Sequence, residues 1–126
     1  MINQSLLKSL SLLLGQKGWV NAAESAPWQR DWFNKYGEAP LGVARPCSTE
    51  QVSQVISLCN EHGVHIVPQG GNTSLCGGAT PDKTGNSMLI SLEKMNKIRS
   101  FNVEAQTITV DAGVVLSSIH ERVEEE

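Results

Sequence analysis

A glycine-rich stretch is the part of this sequence whose residue types and spacing could bind a ligand. It runs from Pro68 to Gly78 after an apolar run, and its two Gly-Gly pairs flank a polar centre with Thr73 and Ser74. Glycine accepts positive φ, so successive N–H groups can turn toward one point, and it lacks a Cβ that would keep a ligand away. Because no Lys or Arg lies between Pro68 and Pro81, backbone dipoles and hydroxyl groups would have to hold an anion. This chemistry suits a diphosphate bridge.

Composition alone leaves two interpretations of this stretch open, a ligand site and a plain surface turn, because glycine-rich loops serve both purposes. Two familiar phosphate signatures are excluded. The sequence has no G-x-G-x-x-G, which marks Rossmann dinucleotide sites, and no G-x-x-x-x-G-K-[ST], which marks the P-loop of nucleotide triphosphatases. Any phosphate site here therefore has another architecture.

A second set of residues, Cys59, His62 and His65, has a spacing that could suggest zinc. Cys59 and His62 could share one helix face, but Gly63 ends that helix, so His65 falls on the following strand. A structural zinc site also needs a fourth ligand, which the string does not supply. We therefore expect no metal site.

Single reactive side chains have simpler interpretations as well. Cys47 near a helix N-terminus could have a lowered thiol pKa, although an incidental cysteine is the favoured interpretation. Asp111 could be proposed as a base, but its place beside Gly113 in a turn favours backbone capping, and we expect His120 on the surface. No paired carboxylates, Ser-His-Asp set or supported Cys-His dyad occurs. The sequence therefore predicts no catalytic residue.

The elements around the glycine stretch are predicted from periodicity and capping signals. Residues 41–45 form a short strand, and Ser48 with Gln51 gives a capping box at the start of a helix over residues 49–62. Gly63 supplies a left-handed C-terminal cap, and residues 64–68 are a compact apolar run typical of a buried strand. Strand, helix and strand in this order predict a βαβ unit with parallel strands.

The flanking segments complete an α+β prediction. A leucine-rich helix over residues 4–14 precedes a segment with three tryptophans, whose aromatic side chains we expect to pack internally, and a short helix should follow Pro27. Beyond the glycine stretch, a strand is predicted at 87–91, a hairpin at 98–103 and 107–111, and a helix at 114–126. The predicted fold is a small mixed sheet with a βαβ unit and a hairpin, with helices packed on it.

Composition bounds the function classes. The chain has 126 residues, 40% of them hydrophobic, and a formal net charge of -3 without a basic cluster, which argues against nucleic acid as a partner. Its three cysteines have no regular spacing, so we expect no disulfide framework. Lys8 interrupts the N-terminal leucines, which therefore do not match a signal peptide, and no segment is long enough for a membrane span. We expect a cytoplasmic location.

Several short motifs follow one another in order from about Leu41 to Val123. They are Arg45-Pro46, Ser48-Thr49-Glu50-Gln51-Val52, Val67-Pro68-Gln69-Gly70-Gly71-Asn72-Thr73, Ile90-Ser91-Leu92, Met95-Asn96-Lys97-Ile98 and Asp111-Ala112-Gly113-Val114. Together they resemble the FAD-binding domain of the vanillyl-alcohol-oxidase (PCMH-type) flavoproteins. Within that superfamily, Gln-Gly-Gly-Asn-Thr is similar to the D-2-hydroxyacid dehydrogenase branch, which includes D-2-hydroxyglutarate and D-lactate dehydrogenases.

The resemblance implies that the glycine stretch contacts the FAD pyrophosphate. Members that attach flavin covalently through this loop use a histidine where this sequence has Thr73, so non-covalent FAD is implied. Ser74 stands where the branch commonly has glycine, and Cys76 where it commonly has a small apolar residue. The implied cofactor-binding residues are Pro68, Gln69, Gly70, Gly71, Asn72, Thr73, Ser74, Gly77 and Gly78.

The resemblance also divides the chain into an N-terminal helical segment, residues 1–40, and the first, incomplete part of an FAD-binding domain, residues 41–126. It implies oxidation of a D-2-hydroxyacid to a 2-oxoacid by a longer protein, with the chain inactive alone. Three hypotheses stay open: the N-terminal piece of an FAD oxidoreductase, a stand-alone nucleotide or anion-binding module, and an assembly domain whose loop binds nothing. A chain without the remainder of the domain should expose apolar surface, and we expect either self-association or marginal stability.

Overall fold

A computed structural model of the protein describes residues 3–125 and contains two sheets and four α-helices in that range. The first sheet has the strand order β1-β2-β4-β3, and the second is a β5-β6 hairpin. This arrangement confirms the predicted α+β class. The elements are α1 Gln4–Gly18, β1 Trp19–Asn21, a 3₁₀ turn Ala22–Glu24, α2 Ala26–Gln29, β2 Gly42–Ala44, α3 Thr49–Glu61, β3 His65–Gln69, β4 Ser87–Ser91, β5 Ile98–Asn102, β6 Thr107–Val110 and α4 Leu116–Glu124.

The predicted βαβ unit is present, but its two strands are not neighbours. β4 lies between β2 and β3 and is parallel to both, so that Val43, Leu89 and Val67 lie side by side across the sheet. All five residues of β4 are buried. β3 is an edge strand that pairs with β4 on one side only. It is therefore half-buried, contrary to the prediction of a buried strand.

The main core lies between this sheet and the helices α1 and α3. Leu6 and Leu10 of α1 are fully buried against Val55 and Cys59 of α3, together with Met88 of the central strand. These positions confirm the helical periodicity of both segments. Ile56 was predicted to lie on the same helix face, but its side chain is 43% exposed.

The boundaries of α3 follow the capping signals closely. The Ser48 side chain accepts a hydrogen bond from the backbone N–H of Gln51 at 3.2 Å, as the capping box predicts. The reciprocal bond differs, because the Gln51 side-chain oxygen accepts from the backbone N–H of Cys47 instead of Ser48. Gly63 follows the helix with a φ of 62°, which is the left-handed conformation expected of it.

Several N-terminal features differ from the sequence prediction. α1 was predicted to end at residue 14, but it extends to Gly18. Gly15 within it is not helical, with a φ of 69° and a ψ of -176°. The unpredicted strand β1 then pairs antiparallel with β2. Trp32 and Phe33 were expected to pack internally, but they are 71% and 68% exposed.

The hairpin and α4 form a region of a different kind. No residue of β5, β6 or α4 is buried. The hairpin has a register shift at Arg99, and its second arm alternates between exposed and half-buried residues as predicted. The predicted helix end at Glu126 lies outside the described residues. Among those that are described, no helix has the length and apolar character that a membrane crossing requires.

Candidate functional site

The glycine stretch forms one wall of a cleft of about 790 Å³. Five of the predicted site residues line it, those at positions 69–73. Pro27 and Trp28 of α2 line it beside them. The remaining wall comes from Glu93 and Asn96, which follow β4, and from residues 113–116 and 118. Because parallel β3 and β4 end at the same edge of the sheet, the loops that leave them meet at this cleft.

Backbone contacts join the strands to the turn before α4. The N–H of Leu92 donates to the carbonyl of Gln69 at 2.9 Å, and the N–H of Gly113 donates to the carbonyl of Met95 at 2.8 Å. A Cβ on Gly113 would lie 1.8 Å from the carbonyl oxygen of Leu92, so no larger residue fits there. These contacts define a junction, Leu92 to Met95 against Gly113, that fixes the two walls of the cleft relative to each other.

Gly70 and Gly71 differ from Gly113 in having open space around them. A Cβ on Gly70 would find only the carbonyl oxygen of Ala112, at 3.9 Å, and one on Gly71 only the Thr73 methyl group, at 4.0 Å. Packing therefore does not require glycine at either position. Their missing side chains instead leave backbone exposed along the cleft, which fits a ligand that must approach the main chain closely, such as a diphosphate.

Positive φ follows the sequence prediction at only one glycine of the stretch, Gly77. Neither Gly70 nor Gly71 has it, whereas Asn72 has a φ of 54° and Gly77 a φ of 77°. Asparagine tolerates this conformation better than most residues because its short amide can bond locally. Here the Asn72 side-chain N–H donates to the carbonyl of Arg30 at 2.8 Å. The loop is thus held in shape by a contact to a distant segment.

Gln69 makes a second contact of this kind. Its side chain is buried, and its amide nitrogen donates to the carbonyl oxygens of Trp28 at 2.9 Å and Ala79 at 3.0 Å. Both N–H groups of the amide are therefore engaged within the protein. Gln69 ties α2 and the far end of the glycine stretch to the sheet, which makes its side chain a positioning group for the cleft.

Four other predicted site residues lie outside the residues that line the cleft. Pro68 is exposed on the edge strand β3, and Ser74 and Gly78 lie further along the loop. Gly77 packs against Tyr36, since a Cβ there would lie 3.0 Å from the aromatic ring. Ligand contacts by these four residues stay a prediction.

The charges near the cleft are already paired. The lining residues of the described chain include no Lys or Arg, and Glu93 is their single carboxylate. The Arg45 guanidinium pairs with that carboxylate at 2.5 Å and lies over the Trp28 ring, 5.5 Å from its centroid. Arg45 therefore neutralises Glu93, so the cleft does not repel an anion strongly, and backbone donors are left to bind it.

Asp111 bonds a backbone N–H, but across the hairpin rather than within the turn at Gly113 where the sequence predicts a cap. Its carboxylate accepts hydrogen bonds from the Arg99 side chain and, at 3.2 Å, from the backbone N–H of Lys97. The bond from Arg99, followed by that from Lys97, holds the pKa of Asp111 below its ordinary value. A carboxylate that is ionised and occupied in this way is a poor general base.

The candidate zinc residues are not brought together. Cys59 is fully buried, and burial raises the pKa of its thiol to about 11. The His62 ring nitrogen Nδ1 lies 2.9 Å from the carbonyl oxygen of Leu58, and His65 is exposed on β3. Among residues 3–125, no three His, Cys, Asp or Glu side chains are placed to hold a metal ion, and all three cysteines are free.

Sequence reasoning missed the cleft residues that come from outside the glycine stretch. Trp28 and Pro27 were assigned to a short packing helix, and Glu93 and Ser118 were not singled out. The signals for this side of the cleft were Gly113 within the Asp-Ala-Gly-Val motif and Asn96 within the Met-Asn-Lys-Ile motif.

Comparison with protein families gives a match over most of the chain. A family described as "FAD binding domain" matches residues 40–126. The matched region contains the glycine stretch, β4, the hairpin and α4, and so includes every segment of the cleft except Pro27 and Trp28.

Curated relatives agree with this match. The chain is 39% identical over 99 residues to a D-2-hydroxyglutarate–pyruvate transhydrogenase of Saccharomyces cerevisiae, an alignment that covers 78% of the chain and 19% of the relative. It is 36% identical over 104 residues to a D-2-hydroxyglutarate dehydrogenase of Xanthomonas citri pv. viticola, covering 82% and 22%. The chain thus spans about a fifth of the length of these relatives.

Solved structures share the fold. A p-cresol methylhydroxylase with substrate bound is 25% identical, with a TM-score of 0.81 over 98% of this chain and 25% of that one. A 4-ethylphenol oxidase from Gulosibacter chungangensis is 22% identical, with a TM-score of 0.84 over 98% of this chain and 24% of the other.

Proposed function

The chain belongs to the FAD binding domain family, and from this premise we propose that its glycine stretch holds the pyrophosphate bridge of FAD in the cleft. The observation that carries the proposal is the open backbone at Gly70 and Gly71, where no neighbouring atom would lie closer than 3.9 Å to an added Cβ. Backbone N–H groups at positions 70–73 and the Thr73 hydroxyl would bind the phosphate oxygens. Gln69 and Asn72 would keep that loop in shape.

The same proposal extends to how the cofactor is retained. Thr73 stands where the resemblance places histidine in covalent members, and a threonine hydroxyl is a hydrogen-bond donor and a far weaker nucleophile than imidazole. FAD would therefore be bound without a covalent link. Protein precipitated with acid should release all flavin into the supernatant, whereas flavin that stays with the pellet would contradict this.

The reaction we propose belongs to a longer protein that contains this chain. The two curated relatives described above are named for D-2-hydroxyglutarate reactions, which supports oxidation of a D-2-hydroxyacid to a 2-oxoacid. Bound FAD would accept the hydride from C2 of such a substrate, while the hydroxyl proton leaves to a base. The residues described here would bind and orient the cofactor, and none is proposed to take the proton.

The proposed partners are FAD, the remainder of the flavoprotein and a second copy of the chain. Val103, Val115, Leu116 and Val123 are each about half or more exposed in or beside the hairpin and α4, and exposed apolar side chains favour association. Sedimentation velocity should show a mass that rises with concentration, and a constant monomer would contradict self-association. The proposed cytoplasmic location would be tested by fractionating cells that contain the protein.

The pyrophosphate site can be tested by titrating the chain with FAD in a calorimeter. Gly71→Val should weaken binding at least about tenfold, because its side chain would project into space that now has only the Thr73 methyl group nearby. Ala105→Val adds comparable bulk at an exposed position outside the cleft and should leave affinity unchanged.

Two outcomes would contradict the proposal. FAD binding by Gly71→Val with undiminished affinity would place the bridge elsewhere. A wild-type chain that does not bind FAD would show that these residues alone are not a working cofactor site, while the family assignment rests on the separate sequence match.

A further inference from the structure

Trp28 is the one aromatic residue among the described residues that line the cleft. It lies in α2, upstream of the matched family region. The residue is half-buried and lies near the start of the glycine stretch. Pro27 beside it extends the apolar surface. The cleft therefore combines exposed backbone on one side with an aromatic residue on another.

Trp28 is held by one contact to its backbone and one to its ring. Its own backbone carbonyl accepts the Gln69 amide at 2.9 Å, which fixes α2 against the sheet. The Arg45 guanidinium lies 5.5 Å from the ring centroid, and Arg45 itself pairs with Glu93 and donates to the carbonyl of Lys17 at 3.3 Å. A ring ordered before binding loses little conformational entropy when a ligand packs on it.

The other two tryptophans have different environments. The Trp19 ring packs over Gly42, where a Cβ would lie 2.3 Å from it, and its Nε1–H donates to Asn21 at 3.0 Å. Trp32 is 71% exposed and does not line the cleft. Of the three, only Trp28 combines a fixed position with access to the candidate site.

We propose that the Trp28 indole packs against a planar heteroaromatic ring of the bound dinucleotide. This inference rests on the proposed function, since a bridge bound at Gly70 and Gly71 places a ring on each side of it along the cleft. Stacking of a base on an aromatic side chain strengthens binding appreciably. The ring is either the adenine or the isoalloxazine, which share this flat, apolar chemistry.

The test measures FAD, ADP and FMN affinities by calorimetry for the wild-type chain, Trp28→Ala, Trp28→Phe and Trp32→Ala. Trp28→Ala should weaken FAD binding about tenfold and should weaken only one of ADP and FMN to the same extent, which identifies the ring. Trp28→Phe should lose less, because it keeps an aromatic face, and it covers the case in which the alanine variant does not fold. Trp32→Ala is the matched control and should bind all three ligands as the wild type does.

Each other outcome overturns the inference. Unchanged FAD affinity in Trp28→Ala would show that the indole does not contact the ligand. If the alanine variant is unfolded, unchanged FAD affinity in both Trp28→Phe and Trp28→Leu would show the same. Equal losses for ADP and FMN would show that Trp28 acts through the shared phosphate loop, as a structural residue. These results leave the proposed function intact, because the wild-type chain still binds FAD, whereas a wild-type chain that fails to bind FAD would remove both.

Discussion

The sheet region and the hairpin–α4 region of this protein are built in opposite ways. The sheet region, β1–β4 with α1, α3 and the turns that join them, contains the buried apolar residues of the core among residues 3–125, including Leu10 and Met88 with no exposed surface. The hairpin–α4 region, β5, β6 and α4, has none buried. The cleft lies where the two regions meet, so one of its walls is fixed by a packed core and the other depends on the junction at Gly113.

This difference indicates how the site is stabilised. Removing apolar surface from water is the main favourable term in folding, and the sheet region obtains most of it. The hairpin–α4 region is instead joined to the segment after β4 by the backbone bond from Gly113 to Met95, and the Asp111–Arg99 ion pair stabilises the hairpin itself. Changes in the first region should therefore affect global stability, and changes in the second should affect the local geometry of the cleft.

The largest effect is expected from a cavity in the core. Leu10→Ala should lower the free energy of unfolding by about 3 kcal/mol, because a fully buried leucine leaves an unfilled space. Leu12→Ala on the same helix is the control, since Leu12 is 78% exposed and its loss should cost less than about 0.5 kcal/mol. Urea denaturation followed by far-UV circular dichroism measures both, and equal costs would contradict the contrast between core and surface.

A smaller effect is expected at the junction. Gly113→Ala introduces a Cβ that would lie 1.8 Å from the Leu92 carbonyl oxygen, and the resulting overpacking should cost about 2 kcal/mol. Gly78→Ala is a matched control, because nothing lies within 4 Å of its added Cβ. Relative to the wild type, Gly113→Ala should accelerate amide hydrogen exchange more in β5, β6 and α4 than in β4. Uniform acceleration across both regions would show that the junction belongs to the global core.

The smallest effect concerns acid. Since the pKa of Asp111 is lowered in the folded chain by its bond from Arg99, its contribution is present above the ordinary aspartate value of about 3.9 and is lost as pH falls through the lowered value. In the Asp111→Asn variant, the NMR shifts of the hairpin amides should therefore change less as the pH falls below about 4.

NMR shifts of the hairpin amides between pH 5 and pH 2 measure this acid effect. The control is Asp82→Asn, where a lowered pKa arises from bonds with Thr84 in the loop before β4. Hairpin signals should be unchanged by that substitution, and an equal response to both would contradict the separation of the two regions.

Local signals were sufficient to predict much of the fold. Ser48, Gly63 and the leucines of α1 each act through neighbours within a few residues, so the boundaries of α3 and the buried face of α1 follow from periodicity and capping. The strand at 87–91 was predicted with its observed limits, because β4 is a short apolar run between polar segments.

The parts that were not predicted depend on long-range contacts. The bonds from Gln69 to Trp28 and from Asn72 to Arg30 span 41 and 42 residues, and no local pattern marks them. They explain why Asn72, and not Gly70 or Gly71, takes the positive φ, and why Trp28 lies in the cleft. Strand β1 was missed for the same reason, since three residues become a strand only through pairing with β2.

Pro68 on the outer strand has a consequence for how copies of the protein can meet. β3 is an edge of the four-stranded sheet, and a proline there has no N–H to offer to an incoming strand. The opposite edge, β1, has only three residues. Neither margin is a good template for the strand addition that builds fibrils. Copies of the protein should therefore meet through the exposed apolar side chains of the hairpin–α4 region rather than through either edge of the four-stranded sheet.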